Sequence, residues 1–173
     1  KQKKGFILWS HANDTLDESE VYHLICNWLK NYSNKDINLA IKLHPDCTLK
    51  HKKYIENLFS EFSSNYFFVD EKVKIEDVIQ KSKVLIAQES TTMLEAFFLK
   101  KSSICLDPTN IRREIPYLKC GICTRVTDHK ELNLCIDLIG DNDKSKFEKI
   151  NNKMGFNLNA TEAIFSEISK LLK

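Results

Sequence analysis

Residues 84–98 read VLIAQESTTMLEAFF, a stretch in which four apolar residues are followed by five polar residues and then by a helical pattern. An apolar run of this length predicts a buried strand, and Met93, Ala96 and Phe97 mark the apolar side of a helix. A strand that passes through a polar loop into a helix is the repeating unit of a parallel α/β sheet. This stretch therefore predicts the fold class of the chain.

The same alternation of strand and helix runs through most of the sequence. Strands are predicted at 6–9, 39–43, 66–69, 84–87 and 104–106, and helices from a capping box at Thr15 and at 50–62, 75–81, 91–100, 129–139 and 161–172. Residues 108–128 are predicted to be irregular apart from a strand-like 124–126, and 140–160 a polar connection. We predict one α/β domain spanning 1–173, with a parallel sheet of five to six strands, helices on both faces and a closing helix at 161–172.

Composition limits the classes of partner. The 173 residues suffice for one domain with its own core, and 26 basic against 24 acidic residues leave a net charge of only +2. We therefore expect no nucleic-acid partner and no transmembrane segment in this chain. Six scattered cysteines fit reduced thiols in the cytoplasm. Because the chain starts at Lys1 and its first Met is Met93, we expect it to be part of a longer protein.

Two common nucleotide-binding motifs are absent from the sequence. The four glycines do not form the Gly-x-Gly-x-x-Gly pattern of dinucleotide-binding folds, and no Gly-Lys-Ser/Thr follows a strand. An NAD or FAD site and a P-loop ATPase are therefore not expected.

The loops that follow the predicted strands carry the candidate functional residues, because ligands of parallel sheets bind at the carboxyl ends of the strands. These residues are Ser10 and His11, then His44, then Asp70, and finally Ser90, Thr91 and Thr92. Ser90 to Thr92 precede a helix whose N-terminal N–H groups and hydroxyls could hold a phosphate, although Ser90 as a simple N-cap fits equally well. Glu95, one turn later, either binds ribose hydroxyls or lies on the surface. His44 is held after its strand by Pro45 and either binds an anion or is a loop residue.

These motifs together resemble a known family. The string Ile41-Lys42-Leu43-His44-Pro45, the stretch 84–96 and the following 104–107 are similar to the C-terminal half of GT-B glycosyltransferases. More narrowly, they resemble bacterial surface-polysaccharide transferases with a His-Pro and a Ser-Ser/Thr motif, such as polysialyltransferases, capsule Kdo transferases and CDP-glycerol polymerases. The resemblance spans residues 6–107 and a terminal helix, and it implies a Rossmann-like, nucleotide-sugar-binding domain.

The resemblance also implies residue roles. His44, Ser90 and Thr91, with Thr92, Ser10 and His11 nearby, would hold the donor phosphate, and His44 would be the catalytic residue. Glu95 would contact the ribose, and Val69 and Asp70 would meet the base. Glu89 departs from the family pattern, in which an Asp or a small residue often precedes the Ser, and an ionised Glu89 facing the phosphate would repel it.

The implied chemistry is transfer of a sugar from a nucleotide donor without a metal or a cofactor. Fixed donors stabilise the charge that grows on the departing phosphate, and His44 could protonate it. We expect a CMP- or CDP-linked donor first, with UDP or GDP as alternatives. The glycan or lipid-linked acceptor and the general base would belong to an N-terminal domain outside this chain, so the chain is expected to bind donor without turnover. We expect it in the cytoplasm or at the inner face of the membrane.

Other classes fit the sequence less well. A sugar-nucleotide 2-epimerase half-domain is the main alternative, although its usual Ser-Gly-Gly is replaced by Ser90-Thr91-Thr92. A non-catalytic nucleotide-binding or interaction module is a second alternative, but the acidic pair of a phosphoacceptor domain is missing after the first strand. Cys120 and Cys123 form half a zinc site with no second half, and the pair precedes a strand rather than the helix of a redox motif. No Gly-x-Ser-x-Gly surrounds Ser90, which argues against a serine hydrolase.

Overall fold

A computed structural model describes residues 5–12, 17–32, 37–62, 65–139 and 144–154. The chain divides into two compact units, 1–143 and 144–173, and the first unit contains the whole sheet. The predicted capping residue Thr15 and the predicted closing helix at 161–172 lie outside the described residues.

Six parallel strands form the sheet, and their order along it is β3-β2-β1-β4-β5-β6. The strands are β1 (Phe6–Ser10), β2 (Asn38–Lys42), β3 (Tyr66–Phe68), β4 (Val84–Ala87), β5 (Ser103–Leu106) and β6 (Cys123–Val126). This order is that of the Rossmann fold, in which the direction of winding reverses between the first and the fourth strand. The predicted parallel α/β sheet of five to six strands is confirmed.

Helices cover both faces of this sheet. They are α1 (Glu18–Asn31), α2 (Leu49–Leu58), α3 (Ile75–Lys81), α4 (Thr92–Phe98), α5 (Pro116–Lys119) and α6 (His129–Leu138), with a short 3₁₀ helix at Ser60–Phe62. One buried cluster joins α1, α2 and α6 to alternate strand residues such as Ile7 and Trp9. A second cluster joins α3 and α4 to the residues between them, such as Leu8 and Ala87. Because every inner strand is covered on both sides, its sequence is apolar throughout rather than alternating.

Two regions differ from the sequence prediction. The segment 108–128, predicted as irregular, contains the one-turn helix α5, which begins at Pro116, and the complete edge strand β6. The polar connection predicted at 140–160 contains a helix, α7 (Lys144–Met154), in the second unit. The prediction failed there because Asn, Asp and Lys dominate that segment, whereas the apolar residues within the helix, Phe147, Ile150 and Met154, have helical spacing.

No helix of the described residues is long and apolar enough to cross a membrane.

Candidate functional site

An open cleft of about 1030 Å³ lies at the carboxyl ends of the central strands. Its lining includes residues that follow β1, β2 and β4, the three strands on either side of the point where the winding reverses. The lining residues are Ser10, His11, Ala12, Lys42, Leu43, His44, Pro45, Asp46, Glu71, Val73, Ile75, Glu89, Ser90, Thr91, Thr92, Ile111 and Arg112. A crevice at this topological position is where open α/β sheets bind ligands.

The structure brings together most of the residues predicted to hold a phosphate. Ser10, His11, His44, Ser90, Thr91 and Thr92 all line this one cleft. Val69 and Asp70 line a second cavity of about 940 Å³ that shares the segment 42–45 and Glu71 with the first. Glu95 is not among the lining residues of either cavity. The three predicted ribose and base contacts therefore lie beside the main cleft rather than in it.

The turn between β4 and α4 bears on the two interpretations of Ser90, as a residue that stabilises the start of the helix and as a ligand of a phosphate. Ser90 is half-buried, and its Oγ accepts hydrogen bonds from the backbone N of Thr92 at 3.3 Å and from the hydroxyl of Thr92 at 2.9 Å. Ser90 thus stabilises the turn that leads into α4, one residue before the N-cap residue Thr91. Its own hydroxyl proton is not used in these two bonds and can be donated to a ligand, as can the hydroxyl of the exposed Thr91.

Glu95 lies in a confined and electrostatically unfavourable position. Its side chain is half-buried, and its Oε2 is buried without a hydrogen-bond partner among the described residues. Burial, followed by the nearby charge of Glu76 on α3, raises the pKa of Glu95. A buried carboxylate oxygen that lacks a donor is a position where a ligand hydroxyl would be stabilising. The predicted ribose contact therefore stays a prediction that this geometry allows.

His44, the predicted catalytic residue, is accessible to a ligand. Its side chain is about half exposed (48%), two residues beyond β2. Nδ1 accepts a hydrogen bond from the backbone N of Asp46 at 3.2 Å, in a turn that is closed by the bond from Cys47 N to the carbonyl of His44 at 2.9 Å. With Nδ1 as an acceptor, the neutral ring carries its proton on Nε2. The turn thereby fixes the tautomer that can donate to an anion.

His11 lies in a different environment, although it also follows a strand. Its side chain is fully buried, Nε2 is 2.7 Å from the Tyr22 hydroxyl, and Nδ1 is 3.5 Å from Sγ of Cys47. The Tyr22 hydroxyl in turn donates to Glu18. Burial lowers the pKa of His11 to about 4, although the Glu18 carboxylate opposes that shift. His11 is therefore neutral at physiological pH, and both of its ring nitrogens are occupied within the protein.

A buried ion-pair network supports the other wall of the cleft. Arg112 binds Asp17 with two hydrogen bonds of 2.5 Å, and it also lies 3.7 Å from Asp107, the residue after β5. Asp107 is fully buried and pairs with Arg125 of β6 at 2.6 Å. Burial pushes the pKa of Asp17 up, but the hydrogen bonds and charge of Arg112 outweigh burial and hold it below its usual value. The network ties the residue before α1 to the loop that follows β5.

Several cleft residues were not identified from the sequence. Val73, Ile75 and Ile111 carry no motif, Lys42 and Glu71 were noted only beside the candidates His44 and Asp70, and Arg112 was noted only as part of a basic pair. One signal was available for Lys42, since it stands two residues before His44 at the end of a predicted strand. Glu89 is exposed and lines the cleft. A bound phosphate must therefore approach Ser90 without facing that carboxylate.

Among the described residues, no three His, Cys, Asp or Glu side chains are grouped as metal ligands. Neither Cys120 nor Cys123 forms a disulfide, and Cys123 is buried in β6.

Comparison with solved structures places this sheet within a known architecture. A UDP-GlcNAc 2-epimerase from Neisseria meningitidis bound to UDP-GlcNAc matches with a TM-score of 0.63 and 18% identity, over 98% of this chain and 45% of that chain. The wall teichoic acid polymerase TagF matches with a TM-score of 0.62 and 15% identity, over 98% and 44% of the two chains. A glycotransferase of kitacinnamycin matches with a TM-score of 0.58 and 12% identity, over 86% and 38%.

These similarities establish the fold of the chain. It is Rossmann-like α/β and corresponds to one half of the GT-B architecture of these neighbours. The chain spans less than half the length of the structures that it matches. By sequence, no protein-family model matches the chain, and no curated protein matches it either.

Proposed function

We propose that this chain is the donor-binding domain of a GT-B glycosyltransferase that uses a nucleotide sugar to build a bacterial capsule, lipopolysaccharide or other surface glycan. One observation carries the proposal: His44 and the hydroxyl loop Ser90 to Thr92 line one cleft at the point where the winding of the sheet reverses. That position is where sheets of this order bind nucleotides. The solved neighbours include two enzymes named for glycosyl transfer or polymer synthesis, which supports this class.

The proposed chemistry needs a cleft that binds a phosphate and stabilises it as it leaves. Hydroxyls of Ser90 and Thr91 donate to the phosphate oxygens, and Nε2–H of His44 approaches them from the end of β2, two strands away. Because such donors are fixed before the sugar bond breaks, they stabilise the charge that develops, by about 2.7–4 kcal/mol for one contact. His44 is also the group that can transfer a proton to the leaving oxygen. Glu95 accepts hydrogen bonds from the ribose, and the backbone near Val69 and Asp70 contacts the base.

In this proposal, a glycan or lipid-linked acceptor and the group that activates it belong to a second domain outside this chain. The protein works in the cytoplasm or at the inner face of the membrane, where nucleotide sugars are available. Cytidine, in a CMP- or CDP-linked donor, remains our first expectation for the nucleoside of the donor. Two of the neighbouring epimerase structures hold UDP-GlcNAc, so uridine donors have to be tested beside cytidine donors.

Calorimetric titration with CMP, CDP, UDP, GDP and ADP tests the proposal. We expect one nucleotide to bind and its affinity to fall about tenfold or more, equal to about 1.4 kcal/mol, in both Ser90→Ala and His44→Ala. Ser60→Ala and His23→Ala are matched controls, because both positions are exposed and lie outside the cleft. Binding that is unchanged in both test variants would place the ligand elsewhere, and absence of binding to every nucleotide would contradict a donor site in this chain.

A sugar-nucleotide 2-epimerase half-domain is the second candidate. Epimerases of this architecture are among the matches with the highest TM-scores, and one of them covers 98% of this chain. The titration separates the two candidates by the base. Binding of a cytidine nucleotide supports the glycosyltransferase over the epimerase, whereas binding restricted to UDP fits both candidates.

A further inference from the structure

Lys42 lines the cleft at the carboxyl end of β2. It is the last residue of β2, in register with Ser10 of β1, which is itself in register with Ala87 of β4. Its half-buried side chain lines both the main cleft and the second cavity. Lys42 therefore lies two strands away from the hydroxyl loop that begins at Ser90.

The ammonium group of Lys42 is held in place without being neutralised. Nζ donates to the carbonyls of Asp70 at 2.9 Å and of Glu71 at 2.8 Å, so its position between the two cavities is fixed. An ammonium group has three N–H donors, and carbonyl oxygens carry no net charge to cancel its own. Over the described ranges, no carboxylate oxygen lies within 4.0 Å of this Nζ, in contrast to Lys119, which is 2.5 Å from Glu114.

The other charged groups of the cleft increase the importance of this cation. Three carboxylates line the cleft, those of Asp46, Glu71 and Glu89. The guanidinium of Arg112, on the opposite side, is already paired with Asp17. A ligand with more than one phosphate therefore meets several negative charges, and Lys42 is the lysine in the lining that offsets them.

We propose that Lys42 is the second phosphate anchor of the cleft and makes it select nucleoside diphosphates over nucleoside monophosphates. This inference rests on the proposed function, because it assumes that Ser90 and its neighbours hold the first phosphate. With β1 between them, the ends of β2 and β4 are roughly 10 Å apart. A chain of two phosphates reaches further across these strand ends than a single phosphate does. The donor is then a CDP-, UDP- or GDP-linked sugar rather than a CMP-linked one.

Titration of cytidine, CMP and CDP, and of uridine, UMP and UDP, into the 173-residue chain and its variants tests this inference. Lys42→Met removes the charge and the two bonds to the loop, whereas Lys42→Gln removes the charge and keeps an N–H donor for the carbonyls. We expect both variants to lose about tenfold or more in affinity for the diphosphate, with less than about threefold change for the monophosphate and none for the nucleoside. Lys53→Met is the control, since Lys53 is exposed on α2 and lines neither cavity.

The outcomes separate this inference from the proposed function. If Lys42→Gln and Lys42→Met keep the diphosphate preference of the unchanged chain, Lys42 is not a phosphate anchor, while the donor site itself stands. If nucleoside affinity falls as much as diphosphate affinity, Lys42 only positions the loop at Asp70, and the inference is wrong. If the unchanged chain binds none of the six compounds and no guanosine nucleotide either, the inference and the proposed function fail together. Circular dichroism of each variant shows whether it is folded, and Lys42→Gln is the informative variant if Lys42→Met is not.

Discussion

Two corners of the molecule carry a histidine just beyond a strand, and they use it in opposite ways. At the corner between β1 and α1, His11 is completely buried and bonded to Tyr22. At the corner between β2 and α2, the side chain of His44 is about half exposed and lines the cleft. From the sequence alone, the two positions predict the same role, a contact to the donor phosphate.

The difference arises from the segment that comes after each histidine. Helix α1 places Tyr22 over the end of β1, where it stacks on the His11 ring at a centroid distance of 5.7 Å. Trp9 contacts the same ring edge-on at 5.2 Å. The turn after His44 contains Pro45, and its closing bonds leave the imidazole at the rim. Both histidines line the cleft, but the segment that follows each one decides whether its ring is buried and bonded within the protein or exposed at the rim, and variants at each corner can test that division.

The largest effect is expected at the buried ion pair that closes the β1–α1 corner. Arg112→Ala leaves Asp17 buried, with the Thr109 hydroxyl as its remaining side-chain donor among the residues that the structure describes. We expect the free energy of unfolding to fall by about 3–5 kcal/mol, because a buried charge has lost its partner. Urea unfolding followed by circular dichroism measures the change.

Two further variants show whether the charge is responsible. Arg113→Ala removes the adjacent, exposed arginine and should change the free energy of unfolding by less than about 0.5 kcal/mol. The double variant Asp17→Leu with Arg112→Met removes both charges and should recover part of the loss. Equal losses in Arg112→Ala and Arg113→Ala would show that the network does not hold this corner.

The second-largest effect is the pH dependence of the free energy of unfolding that the buried His11 causes. Its pKa is about 4 in the folded chain, because burial disfavours the imidazolium, and about 6.5 when unfolded. The unfolded chain therefore binds more protons between these values, and the stability that is present above pH 6.5 is lost as pH falls toward 4. The contribution of His11 to the free energy of unfolding is at most about 3 kcal/mol, because a pKa difference of one corresponds to about 1.36 kcal/mol. Urea unfolding at a series of pH values from about 7.5 to about 4.5 measures it.

His11→Gln isolates this contribution, since glutamine does not titrate. We expect the free energy of unfolding of His11→Gln to change less over the same pH range than that of the unchanged chain. His23→Gln, at an exposed position of α1, should retain the full pH dependence. A His11→Gln profile parallel to that of the unchanged chain would assign the acid sensitivity to other groups.

The sequence predicted those parts of the molecule that depend on local patterns. Apolar runs gave five of the strands, and the polar stretch after β4 gave the hydroxyl loop at Ser90. The burial of His11 was not predictable, because it depends on Tyr22 packing from a different element. The pair of Asp17 and Arg112 joins residues 95 positions apart, and no local pattern encodes such a contact. For the same reason, the strand order and the position of Lys42 against the β3–α3 loop required the structure.

The smallest effect on stability is expected at His44, and it completes the comparison. His44→Ala removes a half-exposed ring with one hydrogen bond to the backbone of Asp46, so the free energy of unfolding should change by less than about 0.5 kcal/mol. His11→Ala, in contrast, removes a buried ring and leaves the Tyr22 hydroxyl without one of its partners, which should cost about 2 kcal/mol or more. Both values come from urea unfolding at a pH of about 7.5, where His11 is neutral.

The ratio of these two losses bears directly on the proposed site. A polar residue at a strand end that contributes little to the free energy of unfolding is available to bind a ligand. His44→Ala should then weaken nucleotide binding without lowering the stability of the chain. If His44→Ala destabilises the chain as much as His11→Ala does, the ring supports the β2–α2 corner instead. A loss of nucleotide affinity in that variant would then reflect a disturbed cleft, and the donor site would depend on Ser90 and Lys42 alone.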